Sequence, residues 1–173
     1  MNNSAIIVTD MQKGFLDPAN SWYTHGSELI VDTISMVCSK FPKDRIFFSA
    51  FVNHPSDDNK SKKFLTGSTE AEIIDQLKHL VTKDNLFQKN TYSVLKIEEL
   101  HDKLKSFDTV YICGLEGDAC VLFSSAEAYD LFINFKVIED AVAGFDAFGG
   151  RGQFMEFYRK HFGDCLINSA DLK

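Results

Sequence analysis

Short apolar runs alternate with longer amphipathic stretches along this chain. The apolar runs are rich in β-branched and aromatic residues, which is typical of strands buried on both faces of a sheet. They predict six strands, at Ser4–Thr9, Arg45–Val52, Asn85–Lys89, Thr109–Gly114, Phe135–Glu139 and Asp164–Ile167.

The stretches between the predicted strands repeat apolar residues at helical spacing. They predict helices at Glu28–Lys40, Glu70–Val81, Ile97–Leu104, Asp118–Leu131 and Gly152–Phe162. This alternation predicts an α/β fold with a parallel sheet and helices on both of its faces.

Length and charge narrow the range of functions. The 173 residues suit a single domain over residues 1–173, and no proline-rich or serine-rich linker divides them. The formal net charge of −7 argues against nucleic acid as a partner, because a basic face supplies most of the affinity for phosphates. No apolar run approaches the ~20 residues of a membrane span, and no signal peptide is recognised at the start. We therefore expect a cytoplasmic protein that does not bind membranes.

Three side chains with useful chemistry follow predicted strands. Asp10 ends the first strand, Lys89 ends the third, and Cys120 follows the fourth where a loop becomes a helix. Because the carboxyl ends of parallel strands meet at one edge of the sheet, we expect the three residues to lie close together. Each also has a plain structural interpretation, as a turn-capping carboxylate, a solvated lysine and a buried thiol.

A carboxylate, an ammonium and a thiol together suit acyl transfer. The carboxylate can accept the thiol proton and return it to a leaving amine, while the lysine stabilises the negative charges. The helix N-terminus at Cys120 is expected to lower the pKa of its thiol. Backbone N–H groups of the preceding turn can stabilise an oxyanion, and Gly117 relieves the steric cost of a sharp turn there.

Three motifs carry a resemblance to a known family. They are Asp10 with Gln12 and Phe15, the strand end Phe87-Gln88-Lys89, and the loop Gly114-Leu115-Glu116-Gly117-Asp118-Ala119-Cys120. In this order and spacing they resemble the isochorismatase-like cysteine hydrolases, which include the nicotinamidases. The resemblance covers nearly the whole chain.

The resemblance implies a three-layer α/β/α, Rossmann-like fold around a six-stranded parallel sheet. It implies that Asp10, Lys89 and Cys120 form a catalytic triad. It also implies a non-proline cis peptide bond at Leu115–Glu116, and an oxyanion hole built from the backbone N–H groups of Glu116 and Cys120.

The sequence departs from the family pattern in three places. The Asn-Asp-Phe that often follows the first Asp is Lys13-Gly14-Phe15 here. The usual Ala-Thr-Asp before the nucleophile is Glu116-Gly117-Asp118 here. Nicotinamidases also carry an Asp-x-His pair and a further His after the second strand, which bind a metal. That region here reads Phe51-Val52-Asn53-His54-Pro55-Ser56-Asp57-Asp58. Since the spacing does not match, we expect no metal and no other cofactor.

A small molecule is the expected substrate. Phe15, Trp22 and Phe64 are candidates for an aromatic wall, and Asn53 is a candidate polar contact, although core or interface packing explains the aromatic residues equally well. The hypothesis is a cysteine hydrolase of a small amide or related C–N bond, acting through a thioester. The alternatives are a vinyl-ether hydrolase of the isochorismatase type and a non-catalytic binding or assembly module. The resemblance also favours a homo-oligomer, either a dimer or a tetramer.

Overall fold

A six-stranded parallel sheet forms the centre of the protein. The computed structural model describes residues 3–53 and 64–172. The strands are β1 Ser4–Thr9, β2 Ile46–Phe51, β3 Leu86–Lys89, β4 Thr109–Gly114, β5 Phe135–Val142 and β6 Leu166–Ile167. Their order is β3-β2-β1-β4-β5-β6, and every neighbouring pair is parallel. The predicted α/β class and six-stranded parallel sheet are therefore confirmed.

Five α-helices flank the sheet in the described ranges. They are α1 Lys13–Leu16, α2 Val31–Cys38, α3 Glu98–Leu104, α4 Cys120–Asp130 and α5 Arg151–Phe162, and a 3-10 turn at Ser27–Ile30 leads into α2. None of the helices in this part of the chain has the length and apolar character needed to cross a bilayer.

The core is divided between the two faces of the sheet. Successive residues of a strand point to opposite faces, so Ile6 and Val8 of β1 pack in one cluster while Ala5 and Ile7 pack in the other. The first cluster contains the buried side of α2, and the second contains the buried sides of α3, α4 and α5. This arrangement gives three layers, α/β/α.

The segment between β2 and β3 differs from the prediction. Residues 70–81 form turns and a short 3-10 helix at Lys78–Leu80 rather than the expected helix. The apolar residues of the pattern are nevertheless buried in the core, namely Ile73, Ile74 and Leu77. The hydrophobic spacing therefore identified the buried side chains correctly but predicted the wrong secondary structure for this segment.

Backbone hydrogen bonds to the chain after β1 explain this difference. The carbonyl oxygens of Glu70 and Glu72 accept from the N–H groups of Gly14 and Lys13, at 3.0 Å and 2.8 Å. The N–H group of Ile74 donates to Met11 at 3.0 Å. A helix would need these same donors and acceptors for its own i to i−4 bonds, so the tertiary pairing excludes it.

The strand order creates a crevice at the carboxyl edge of the sheet. The chain passes from β1 outward to β2 and β3, and then returns to place β4 on the other side of β1. The loops that follow β1 and β4 therefore leave the sheet in opposite directions. Ligand sites in open α/β sheets lie at such a switch point.

Candidate active site

Asp10 stands directly after β1 at this switch point. Its φ of 53° lies in the left-handed region, which aspartate adopts more readily than most residues. The backbone N–H of Asp10 donates to the carbonyl of Ser49 on β2 at 3.1 Å. The Ser49 hydroxyl in turn donates to Oδ1 of Asp10 at 2.7 Å. The neighbouring strand thus fixes the orientation of a carboxylate that is only 1% exposed.

Lys89 ends β3 and directs its ammonium towards this carboxylate. Its Nζ lies 2.7 Å from Oδ2 of Asp10, 3.1 Å from the carbonyl oxygen of Thr91 and 3.2 Å from Sγ of Cys120. The ring of Phe51 lies beside the ammonium, with its centroid 5.4 Å from Nζ. The lysine side chain is completely buried, and each of its three N–H bonds has an acceptor.

Cys120 is the first residue of α4 and completes the cluster. It is 6% exposed. One turn further along the helix, the hydroxyl of Ser124 accepts from the N–H of Val94 at 3.1 Å. This bond ties the chain that follows Lys89 to the helix that carries the thiol. The structure therefore brings Asp10, Lys89 and Cys120, the three residues picked out by their positions after strands, into one buried cluster.

The charges in the cluster oppose the effect of burial on Lys89. Burial alone would lower the pKa of Lys89, but the negative charges of Asp10 and Cys120 outweigh it and the net direction is upward. The lysine is therefore a cation at neutral pH. Asp10 supplies its nearest counter-charge.

The expected lowering of the thiol pKa is wrong. Burial raises the pKa of the Cys120 thiol well above its ordinary value, and the Asp10 carboxylate raises it further, while Lys89 acts in the opposite direction. The lysine does not overcome the loss of solvation. In the resting state the sulfur therefore carries its proton, next to a carboxylate that can accept it.

The turn from β4 to α4 presents two free N–H groups. Its Leu115–Glu116 peptide bond is cis. Backbone carbonyls accept hydrogen bonds from the other N–H groups of the turn, which belong to Leu115, Gly117, Asp118, Ala119 and Val121. Among the hydrogen bonds of residues 3–53 and 64–172, the N–H groups of Glu116 and Cys120 have no acceptor. These are the two donors that the resemblance assigned to an oxyanion hole.

The Glu116 side chain turns towards the segment after α1. Its Oε1 accepts from the hydroxyl of Thr24 at 2.7 Å. Burial raises the pKa of the Glu116 carboxyl, the Thr24 bond opposes this, and the carboxylates of Asp118, Asp10 and Asp146 add to the increase.

The aromatic residues singled out in the sequence lie together. The rings of Phe15 and Phe64 stack with centroids 4.4 Å apart, and Trp22 meets Phe64 edge-on at 6.2 Å. Phe15 and Phe64 are buried, whereas Trp22 is partly exposed. Asn53 holds the backbone of Phe64, because its Oδ1 accepts from the Phe64 N–H at 3.0 Å. In this structure, the side-chain oxygen of Asn53 therefore helps to position Phe64 among the three aromatic residues.

Phe51 and Gln12 are parts of the site that the sequence reasoning did not assign to it. Phe51 lies between the ammonium of Lys89 and the ring of Phe64, 6.2 Å from the latter. Both backbone groups of Phe51 bond to the Gln12 side-chain amide, at 2.8 Å each. The sequence held a signal for Gln12, which follows Asp10 in the first motif, whereas the place of Phe51 depends on how β2 and β3 pair.

A metal site is not formed by the residues that the structure describes. Over 3–53 and 64–172, no three His, Cys, Asp or Glu side chains come together in a way that could hold an ion. His54, Asp57 and Asp58, which belong to the region where nicotinamidases carry their metal motif, lie outside those ranges. No step below depends on a metal.

Comparison with known proteins agrees with this geometry. The family model described as the isochorismatase domain matches residues 4–167. The chain belongs to the isochorismatase family. A nicotinamidase from Acinetobacter baylyi is 27% identical, over 86% of this chain and 85% of that protein. The family resemblance stated from the motifs is thereby confirmed.

Solved structures share the fold of this isochorismatase family member. The crystal structure of a nicotinamidase from Bacillus subtilis has a TM-score of 0.79 and 19% identity, covering 96% of this chain and 99% of that one. The N-carbamoylsarcosine amidase from Thermoplasma acidophilum has a TM-score of 0.78 and 20% identity, covering 99% of both chains. At these identities the likeness is one of fold.

Proposed function

We propose that this protein is a cysteine hydrolase of small amides that acts through a thioester. The observation that carries the proposal is the contact of one ammonium with both a carboxylate and a thiol, at 2.7 Å and 3.2 Å. Such a cluster supplies a nucleophile, a proton acceptor and a fixed positive charge within one buried volume. The amidases among the similar proteins support the same class of substrate.

In the first half of the reaction, Asp10 accepts the thiol proton while Sγ of Cys120 attacks the amide carbon. The raised thiol pKa means that the thiolate forms only as attack proceeds, when Lys89 stabilises the negative charge. The carbonyl oxygen becomes an oxyanion that accepts hydrogen bonds from the N–H groups of Glu116 and Cys120. The C–N bond then breaks, and the proton on Asp10 passes to the leaving nitrogen. Ammonia and a thioester result.

In the second half, water hydrolyses the thioester. Asp10 accepts a proton from the attacking water, and the same two N–H groups bind the second oxyanion. The C–S bond breaks, Cys120 regains its proton from Asp10, and the carboxylic acid leaves. The electron pairs and protons balance without any oxidant or reductant.

Ammonia release from a panel of small primary amides, beginning with nicotinamide, tests the proposal. We expect turnover by the wild type and none above background for Cys120→Ala. Cys165→Ala is the matched control, because this thiol directly precedes the edge strand β6 and takes no part in the cluster. Intact-protein mass spectrometry should detect an adduct with an electrophilic amide analogue on the wild type and none on Cys120→Ala.

Two other outcomes would replace the proposal with its rivals. Hydrolysis of a vinyl ether that survives Cys120→Ala but is lost in Asp10→Asn would indicate chemistry of the isochorismatase type. Neither turnover nor an adduct in the wild type would favour the non-catalytic binding or assembly module.

A further inference from the structure

Glu116 places a carboxylate at the edge of the proposed site, where the family pattern has alanine. It directly follows the cis peptide bond and precedes Cys120 in the same tight turn. Its carbonyl oxygen accepts from the N–H groups of Ala119 and Val121, at 3.1 Å and 3.0 Å, so the residue is bonded to the chain on both sides of the thiol. The position of Glu116 is thus fixed relative to the reacting sulfur.

The side chain of Glu116 is held as firmly as its backbone. The hydroxyl of Thr24 donates to Oε1 at 2.7 Å, and Thr24 is itself buried with its N–H bonded to Phe15. Gly144 packs against both residues: a Cβ at that position would lie 2.9 Å from Thr24 and 3.0 Å from Cβ of Glu116. A carboxylate held in this way is preorganised to accept a hydrogen bond or to face a cation.

The residues around the cluster, here called its rim, fall into an aromatic side and a side that carries a carboxylate. On one side the rings of Phe51, Phe64 and Trp22 follow each other outward from the ammonium of Lys89. Two residues after Trp22 the chain reaches Thr24, which bonds to Glu116 on the other side. Trp22, the exposed end of the aromatic series, and the half-buried Glu116 are therefore the residues placed to meet the body of a bound amide.

Among the residues that the structure describes, none provides a cation for this carboxylate. Asp10 has the ammonium of Lys89, and Asp146 has His25 at 3.2 Å, but no ion pair includes Glu116 within the described ranges. The neighbours that affect Glu116 by charge are carboxylates, and together with burial they raise its pKa. A group in this situation gains free energy when a ligand brings a positive charge.

We propose that Glu116 determines specificity, by selecting amides that carry a cationic nitrogen on a flat or apolar body next to the scissile carboxamide. The proposal rests on the amide-hydrolase function proposed above and names its substrate class. The aromatic side of the rim binds the body of the substrate. The Glu116 carboxylate accepts the charge, and Cys120 attacks the carboxamide between them.

Two pairs of probes separate charge from shape. 1-Methylnicotinamide and 3-methylbenzamide have nearly the same outline, but only the first carries a fixed positive charge. 3-(Aminomethyl)benzamide and 3-ethylbenzamide form a second pair, in which the cation can also donate hydrogen bonds. Binding to Cys120→Ala by isothermal titration calorimetry gives dissociation constants without turnover.

We expect the cationic member of each pair to bind about tenfold or more tightly than its neutral partner, because both cations can pair with the carboxylate and the ammonium can also donate a charged hydrogen bond. The double variant Cys120→Ala/Glu116→Gln should reduce this ratio to near one. Asp118→Asn in the Cys120→Ala protein is the matched control. It removes the same charge two residues away, from a carboxylate that already accepts from the Ala147 N–H at 2.7 Å, and should keep the preference.

Equal affinity within both pairs, no binding of any cationic probe, or a preference that Glu116→Gln leaves unchanged would overturn the specificity role. These results are distinct from failure of the proposed function. Ammonia release by the wild type that depends on Cys120, combined with no cation preference, would refute only the inference about Glu116.

Discussion

Two groups of ion pairs in this protein have similar distances and opposite surroundings. In the buried pair, Nζ of Lys89 lies 2.7 Å from Asp10, and the two side chains are 0% and 1% exposed. In the surface network, Nζ of Lys78 lies 2.8 Å from Glu72 and 2.9 Å from Asp75, with Lys78 46% exposed. Distance alone does not distinguish them.

The difference in burial determines how much the buried pair and the surface network contribute to stability. Water and salt screen the surface network, so its contribution to stability is small. Removing two charges from water is costly, and a buried pair is often no more stabilising than an apolar pair of the same shape. The Asp10–Lys89 pair is therefore better explained by its contact with Cys120 than by stability. The surface pairs only link residues within 70–81 and, through Lys13 at 3.0 Å from Glu72, tie this segment to the chain after β1.

Breaking the buried pair should have the largest effect. Asp10→Asn removes the proton acceptor and leaves the Lys89 ammonium buried without a counter-charge. We expect kcat for amide hydrolysis to fall by about 10³-fold or more, and the free energy of unfolding to fall by about 3–5 kcal/mol. Steady-state kinetics and urea denaturation measure the two effects.

The double variant Asp10→Asn/Lys89→Met sharpens this test. With no uncompensated charge left, part of the lost stability should return while the activity stays absent. Recovery of activity together with stability would contradict the catalytic role of the pair.

A smaller effect is expected from moving the turn that faces the pair. A Cβ on Gly117 would lie 2.5 Å from Cε1 of Phe145 and 2.8 Å from the carbonyl oxygen of Gly144. Gly117→Ala should therefore shift the free N–H groups and lower kcat about 10²-fold, the size expected for loss of an oxyanion donor. Gly152→Ala, on the open side of α5 with nothing within 4 Å, is the control and should keep full activity. Equal kcat values for the two variants would argue against this role of the turn.

The carboxyl group of Glu116 should give a pH-dependent effect on stability. Its pKa is raised on folding, so the native state holds this proton more tightly than the unfolded state. The contribution of Glu116 to stability is then fully present below the ordinary glutamate pKa of ~4.3 and is lost as the pH rises through the raised value. Glu116→Gln should raise the unfolding temperature at pH 7 and have no such effect at pH 4. A gain of the same size at both pH values would contradict the raised pKa.

The smallest effect is expected from the surface network. The lysines lower the pKa of Glu72 and Asp75, so their stabilisation is present above the ordinary carboxylate pKa and is lost as the pH falls. Lys78→Met should leave activity unchanged and shift the unfolding midpoint only slightly, and high salt should reduce the difference further. A large loss of stability would mean that exposed pairs matter here as much as the buried one.

The outcome for the fold shows what patterning can predict. The strands were identified because β-branched apolar runs are short and bounded by polar residues. The segment 70–81 was assigned wrongly, because its buried residues Ile73, Ile74 and Leu77 have the spacing of a helix face. Bonds to Gly14, Lys13 and Met11, far away in the sequence, determine its backbone. The dimer or tetramer and the cytoplasmic location stay predictions.

The candidate site likewise has features that the sequence predicted and features that depend on tertiary contacts. Its three chemical groups were identified from their positions after strands, since parallel topology brings such positions together. The direction of the Cys120 pKa shift was not predicted correctly, because it depends on how far burial and the Asp10 carboxylate outweigh the Lys89 ammonium. Phe51 was not assigned to the site because its place beside Lys89 depends on how β2 and β3 pair.

The sequence by itself determined the α/β class, the buried strands, the family and the side chains that meet at the carboxyl edge. These follow from local periodicity and from the order of elements, both of which can be seen along the chain. Only the tertiary structure decided the backbone of residues 70–81, the protonated resting thiol and the absence of a cation beside Glu116 among the described residues. Hydrogen-bond competition, desolvation and charge pairing all depend on residues that are distant in the sequence and become neighbours only in the folded chain.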